Sequence, residues 1–379
     1  MKVLFTLDTL ANAGTEKSTL DIISHFSKDT VAKVVYFYPG YDLKAAYEQA
    51  GIPLHFVDLK GKRSFLTGVI RLIRLIRLEK PDLIVSSIMR SNFISRFAGL
   101  ITRTPVIGTF VNDSYGEIRI EEIKRKNQYR AYRFFWLVDK FTSGIPVYWI
   151  SNAISIAKSN AHALGLKKKK VKVIYRGRES AAFPERTPMP FTDHFKFVFV
   201  GRLLQRKGLA ELMEAVSMVK QKYQGISLAI YGGGAYRKKV EEMIIQNRIS
   251  DTVTFHGAVP NGWKKLYEAH CFVFPSWYEG FSGALIEAMM AGIPIIASDI
   301  SMNLEAVDKE TALIYKVKSV NELAAHMETM ITSYPNMIEM GKRARAVASG
   351  RFDIKVIAAE YESFLHSVAN KTVNEANLI

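Results

Sequence analysis

The chain has 379 residues, 48% of them hydrophobic and 23% charged, with a formal net charge of +16. Such a length suits two domains better than one core, and the composition excludes a disordered chain. The single cysteine, Cys271, excludes an intramolecular disulfide and fits a reducing cytoplasm. Asp8 arrives too early for a signal-peptide core, and the uncharged run at 141–157 is broken by Gly144, Pro146 and Asn152, so a membrane span is not expected.

The first expected strand, 2–8, leads into a loop containing Gly14 and then a helix. The stretch Asn-Ala-Gly-Thr-Glu-Lys-Ser-Thr at 12–19 looks superficially like a nucleotide-triphosphate loop. That motif requires glycine before the lysine and again five residues earlier, whereas these positions hold Glu16 and Ala11. What survives is a helix N-terminus able to face an anion. Further strands are expected at 34–38, 54–59, 82–87, 106–111, 147–151 and 171–175, nearly continuous in apolar residues and separated by helical patterns.

Positive charge is concentrated in this half. Residues 61–140 hold 16 Lys and Arg against 7 Asp and Glu, an excess of nine in a total of +16. Within 63–80, Arg71, Arg74 and Arg77 form one stripe on an otherwise apolar helix, which suits either an anionic bilayer surface or a helix covering the sheet. The segment 124–140, with Arg130, Arg133 and Phe134-Phe-Trp136, offers an aromatic anchor or another packed helix. Nucleic acid is the competing partner for the charge, but the aromatics are clustered and no nucleic-acid-binding motif is present.

Three prolines within 184–190 mark a linker at 181–191. Beyond it, strands are expected at 196–201, 227–231, 253–256, 271–275, 293–298 and 312–317. The domains are therefore drawn at 1–183 and 194–350, with 351–379 as a C-terminal helix packing back toward the first domain. Two such sets of strands imply α/β architecture, two Rossmann-like doubly wound domains facing across a cleft.

Chemistry is densest after the strand ending at Phe274. A loop carries Glu279, and a helix from about Gly283 to Ala291, stopped by Gly292 and Pro294, turns free N–H groups toward an anion. Glu287 can reach adjacent hydroxyls of a sugar or ribose, and Glu279 others. The strand before Gly201 delivers Arg202 and Lys207, a fork and a point charge suited to a diphosphate.

These segments carry a resemblance. Gly-Arg-(x)4-Lys-Gly at 201–208, Val-x-Phe-x-Gly at 253–257 and Glu-Gly-Phe-(x)5-Glu-Ala-Met at 279–289 resemble, in order and spacing, the retaining GT-B glycosyltransferases of family 4. The resemblance implies that Arg202 and Lys207 bind the donor diphosphate and that Glu279, with the backbone of Phe281, Ser282 and Gly283, holds the transferred sugar. It further implies that Glu287 holds the ribose, the loop of Gly257 and Val259 touches the base, and Gly14 closes over the phosphates. Arg202, Lys207 and Glu279 are thus the catalytic candidates. Fixed cations would stabilise the departing diphosphate, so neither metal nor cofactor is expected.

Two positions depart from the family pattern. Where many members carry a histidine this chain has Val111, followed by Asn112 and Asp113, and the turn usually written Asn-Gly-x-Asp is Arg176-Gly-Arg178-Glu179. Asn112, Asp113, Arg176 and Arg178 are therefore the acceptor-side candidates. The function expected is transfer with retention from a nucleotide-diphosphate sugar, UDP-linked, to a glycolipid or oligosaccharide acceptor in bacterial polysaccharide synthesis. The enzyme would sit on the inner face of the cytoplasmic membrane, its anionic surface a partner and nucleic acid not. A sugar-nucleotide epimerase of the same fold and a non-catalytic basic binding module are the rivals. Donor turnover with and without acceptor separates them.

Overall fold

A computed structural model describes residues 1–59, 64–125, 127–191 and 193–376, with side chains through Lys371. Arg63 and Lys126 of the two basic segments, and residues 377–379 of the expected C-terminal helix, lie outside the described residues. The chain divides into two compact units, Met1–Gly177 with Ile354–Ile379, and Arg178–Asp353.

The first unit contains strands β1 (Lys2–Leu7), β2 (Val31–Tyr36), β3 (Leu54–Phe56), β4 (Leu83–Ser86), β5 (Val106–Phe110), β6 (Tyr148–Ser151) and β7 (Val171–Val173). They form one sheet in the order β3-β2-β1-β4-β5-β6-β7, every pair parallel. Successive side chains leave a strand on opposite faces. Val3 and Phe5 accordingly meet Ile22, Tyr47 and the helix Ile354–Ala376 through Ile357, Tyr361 and Leu365. Leu4, Val35 and Phe37 meet Val69, Leu72, Leu75 and Ile76 of the helix Ser64–Glu79 on the other face. That helix therefore covers the sheet, its Arg71 donating to the Asp58 carbonyl at 3.1 Å. Strand β2 begins three residues before the apolar run expected at 34–38, because Lys33 interrupts the run yet faces outward to Glu79 at 2.6 Å.

The second unit repeats the plan with β8 (Phe195–Val200), β9 (Ile226–Tyr231), β10 (Val253–Gly257), β11 (Cys271–Phe274), β12 (Ile295–Ser298) and β13 (Leu313–Tyr315), in the order β10-β9-β8-β11-β12-β13. Phe195, Phe197 and Phe199 pack with Leu212, Met213 and Val216 of the helix Leu209–Lys222, and Cys271 is buried in this core. Both sheets are parallel and helix-covered, as the alternation of apolar runs and helical patterns predicts.

The division falls at Gly177/Arg178, ahead of the proline-rich stretch, because residues 178–183 are tied into the second unit. The Arg178 amide donates to the Phe352 carbonyl at 2.9 Å. Arg345 holds the Phe183 carbonyl at 2.6 Å, and the Phe183 ring packs on Trp263 at 4.6 Å. Among the described residues no helix is long and apolar enough to cross a membrane.

Candidate active site

In an open parallel sheet, the crevice lies beyond the carboxyl ends of the strands where strand order reverses. In the second unit that point is between β8 and β11. Loops 201–208 and 275–282 leave these two neighbours, so sequence positions more than seventy residues apart become adjacent.

There the ammonium of Lys207 bonds the Glu279 carboxylate. Arg206 donates to the same carboxylate at 3.3 Å and to the Tyr278 carbonyl at 3.0 Å, its guanidinium 5.0 Å over the Tyr278 ring. Lys207 and Glu279 are both buried. Burial alone would raise the Glu279 carboxyl; the charges of Lys207 and Arg206 outweigh it and hold the group below its ordinary value. Arg206 and Tyr278 were not anticipated from sequence. Their only signal was adjacency to Lys207 and Glu279.

Gly208 makes this packing possible. Its φ is +68°, and a β-carbon there would collide with the Pro275 carbonyl oxygen at the end of β11. The second glycine of the Gly-Arg-(x)4-Lys-Gly pattern thus lets the Lys207 turn lie against the neighbouring strand, with the ammonium 5.2 Å over the Phe274 ring.

The loop after β11 runs into the helix Gly283–Ala291, which ends at Gly292 with φ +67°. Ser282 occupies the N-cap position, but its side chain makes no capping bond. Arg178 lies over the first turn: a β-carbon at residue 283 would run into its guanidinium. The same guanidinium donates to Glu287 at 2.7 Å, and Glu287 is buried. Phe281 is buried against Phe352 at 5.3 Å. Arg178, a candidate for the acceptor side, is thus engaged in the second unit with an acid assigned to the donor.

Cations gathered at the positive end of a helix dipole repel one another and the dipole, unless negative charge answers them. Here Arg178 pairs with Glu287, while Arg206 and Lys207 share Glu279. Arg202, just past β8, is exposed, with no ion-pair partner among the described residues. Gly257 closes β10, and Val259, half-buried, follows in the next loop. This end of the sheet therefore favours an anion.

The first unit offers a different surface at its own reversal, between β1 and β4. Gly14 opens the helix Gly14–Ile23, with the Arg176 guanidinium 3.0 Å from where its β-carbon would stand. A cavity of about 50 Å3 beside it is lined by Thr15, Thr19, Ser87, Thr109, Asn152 and Arg176. Glu16 and Asp8 lie near; burial raises both carboxyls, against the help each gets from hydrogen bonds. Asp113 is occupied by the Ser159 hydroxyl at 2.6 Å, while Asn112 is exposed and its carbonyl accepts from Asn160 at 3.0 Å.

A second cavity of about 140 Å3 is lined by Ile88, Arg96, Val111, Asn112, Tyr115 and Asp139 among others. Arg96 pairs with Asp139 at 2.6 Å, and the Tyr115 hydroxyl donates to the same carboxylate. Burial lowers the Arg96 guanidinium, against the attraction of Asp139, and raises the Tyr115 phenol. No motif announced this cluster, because its three members come from separate helices and loops. Ile88 holds φ +75°, a strained value for a β-branched residue, at the rim of this cavity. Among the described residues no group of three or more His, Cys, Asp or Glu could hold a metal ion.

Comparison with known proteins agrees with this geometry. Residues 185–347 match the family described as Glycosyl transferases group 1, and residues 13–181 that described as Glycosyltransferase Family 4. The chain is 22% identical to the capsular polysaccharide biosynthesis glycosyltransferase CapM of Staphylococcus aureus, over 80% of this chain and 81% of the relative. It is 24% identical to CapH of the same organism, over 97% and 99%. Among solved structures, Anabaena Alr3699/HepE in complex with UDP superposes with a TM-score of 0.83 at 20% identity, covering 97% of this chain and all of that one. With matches spanning both units and a fold shared end to end, the chain belongs to the group 1 and family 4 glycosyltransferases.

Proposed function

We propose that the protein transfers a hexosyl group, with retention and without a metal, from a UDP-sugar to a lipid-linked or oligosaccharide acceptor in polysaccharide synthesis, at the cytoplasmic face of an anionic membrane. The observation that carries this reading is the convergence of Arg206, Lys207 and Glu279 at the strand ends with Arg178 and Glu287 at the first turns of the helix Gly283–Ala291, and an exposed Arg202 just past β8. A diphosphate bound there would meet these cations and the helix N–H groups. As the glycosidic bond of the donor breaks, charge grows on the departing phosphate, and Lys207, Arg202 and the helix N–H groups are the groups that would stabilise it.

Glu279 and Glu287 hold these cations before the donor arrives. On binding, Glu287 turns to the ribose hydroxyls and Glu279 to the sugar, each as acceptor of hydrogen bonds. No protein nucleophile is assigned; the acceptor hydroxyl attacks from the face the diphosphate leaves. UDP is supported by the likeness to HepE, which binds it, and the acceptor class by the names of CapM and CapH.

The experiment is a thermal-shift comparison of UDP, GDP and ADP with EDTA present, followed by NMR of the anomeric proton of the product. A nucleotide at a hundred times its Kd adds about 2.7 kcal/mol. Stabilisation by UDP alone and a product anomer matching the donor are expected; an inverted anomer or an absolute need for metal refutes the mechanism.

A further inference from the structure

The helix Tyr129–Thr142 is fastened to the first unit along one side only. Asp139 is bound by Arg96 and Tyr115, Thr142 accepts from Arg96 at 2.8 Å, and the Trp136 indole donates to the Ala163 carbonyl at 3.2 Å. Asp139 is the only acid on the helix and is buried.

The opposite side is unlike an ordinary solvated helix face. Phe134, Leu137 and Phe141, at spacings of three and four, point away from Asp139 and are 62%, 40% and 84% exposed. Arg130, Arg133 and Lys140 flank them, all exposed and without an acidic partner among the described residues. A soluble surface rarely presents large apolar side chains in a row. Here they are framed by one sign of charge, within the segment 61–140 that carries nine of the chain's excess of sixteen positive charges.

We infer that this face is the surface by which the protein lies on an anionic bilayer, the three apolar side chains entering the acyl boundary and the three cations meeting lipid phosphates. The inference rests on the reading of the acceptor as membrane-borne. Charge complementarity selects the bilayer over a second copy of the chain, whose identical face would set cation against cation. The inner side of the same helix contributes Asp139 to the 140 Å3 cavity beside Val111 and Asn112, so a lipid anchored under the outer side would carry its polar end toward that cavity.

The test is co-sedimentation of the full chain with vesicles of phosphatidylcholine alone and of phosphatidylcholine with phosphatidylglycerol, at low and high salt. Binding only to the anionic vesicles, weakened by salt, is expected. The double variant Phe134→Ser/Phe141→Ser should bind at least roughly tenfold more weakly. Arg130→Gln/Arg133→Gln/Lys140→Gln should weaken binding and flatten its salt dependence.

The inference is overturned by wild-type protein that ignores anionic vesicles, or by a Phe134→Ser/Phe141→Ser variant that binds like wild type. A dimer in sedimentation that these substitutions dissolve would do the same. UDP binding, read by thermal shift on the same preparations, keeps the two questions apart. Its persistence in a protein that ignores vesicles sinks the bilayer surface and spares the donor site, whereas vesicle binding without UDP binding does the reverse.

Discussion

The two units share an architecture and differ in where their charge goes. In the second, Lys207, Arg206 and Arg178 are drawn inward onto Glu279 and Glu287 at the strand ends. In the first, the buried ion pair Arg96–Asp139 only fastens a helix, and the remaining cations of that helix stay in solvent beside exposed aromatics. A ligand of fixed chemistry can be met by a few side chains at fixed spacing, which leaves motifs; a broad surface or a variable acceptor requires only composition, which does not.

The comparison breaks most readily at Lys207. Lys207→Ala leaves the buried Glu279 with Arg206, at 3.3 Å, as its one ion-pair partner among the described residues, and should cost about 3 kcal/mol in urea unfolding together with loss of donor turnover. Lys207→Met with Glu279→Gln removes both charges; stability should largely return and turnover should not, separating the two roles. Gly208→Ala, at φ +68° against the Pro275 carbonyl, is expected to cost about 2 kcal/mol by the same measurement. Arg178→Ala removes the 2.7 Å ion pair to the buried Glu287 and should cost about 1–2 kcal/mol, with weaker UDP binding in thermal shift.

Acid distinguishes the units without mutation. The Glu279 carboxyl is held below its ordinary value of 4.5, so its contribution is complete above that pH and is lost as pH falls through the lower folded value. Glu16 and Asp8 are raised, so their contribution is greatest below the ordinary carboxylate range and declines as pH rises through their folded values. Hydrogen exchange on descending from pH 5 should therefore show loss of protection around Glu279 before the β1 end of the first unit; simultaneous loss would contradict the assignment. The smallest effect is reserved for the outer helix face: Phe134→Ser/Phe141→Ser should change unfolding stability by under about 0.5 kcal/mol per site, since both rings are already in water.

Sequence alone determined the alternation of apolar runs and amphipathic segments, and hence two parallel sheets, because the pattern of burial is written locally in side-chain periodicity. It also singled out Arg202, Lys207, Glu279 and Glu287 as candidates, because their spacing lies within two short segments that can be read locally. Only the tertiary structure decided that Arg206 shares Glu279, that Arg178 crosses to Glu287, and that Arg96, Tyr115 and Asp139 meet. Those pairings join residues from separate strands and helices, and no local pattern encodes which distant charge will arrive to neutralise a buried one. The same limit applies to the two basic helices: composition made both candidates for a surface, and packing sent Val69, Leu72, Leu75 and Ile76 of Ser64–Glu79 into the core while leaving Leu66, Ile70 and Leu78 of that helix, and Phe134, Leu137 and Phe141 of the other, outside.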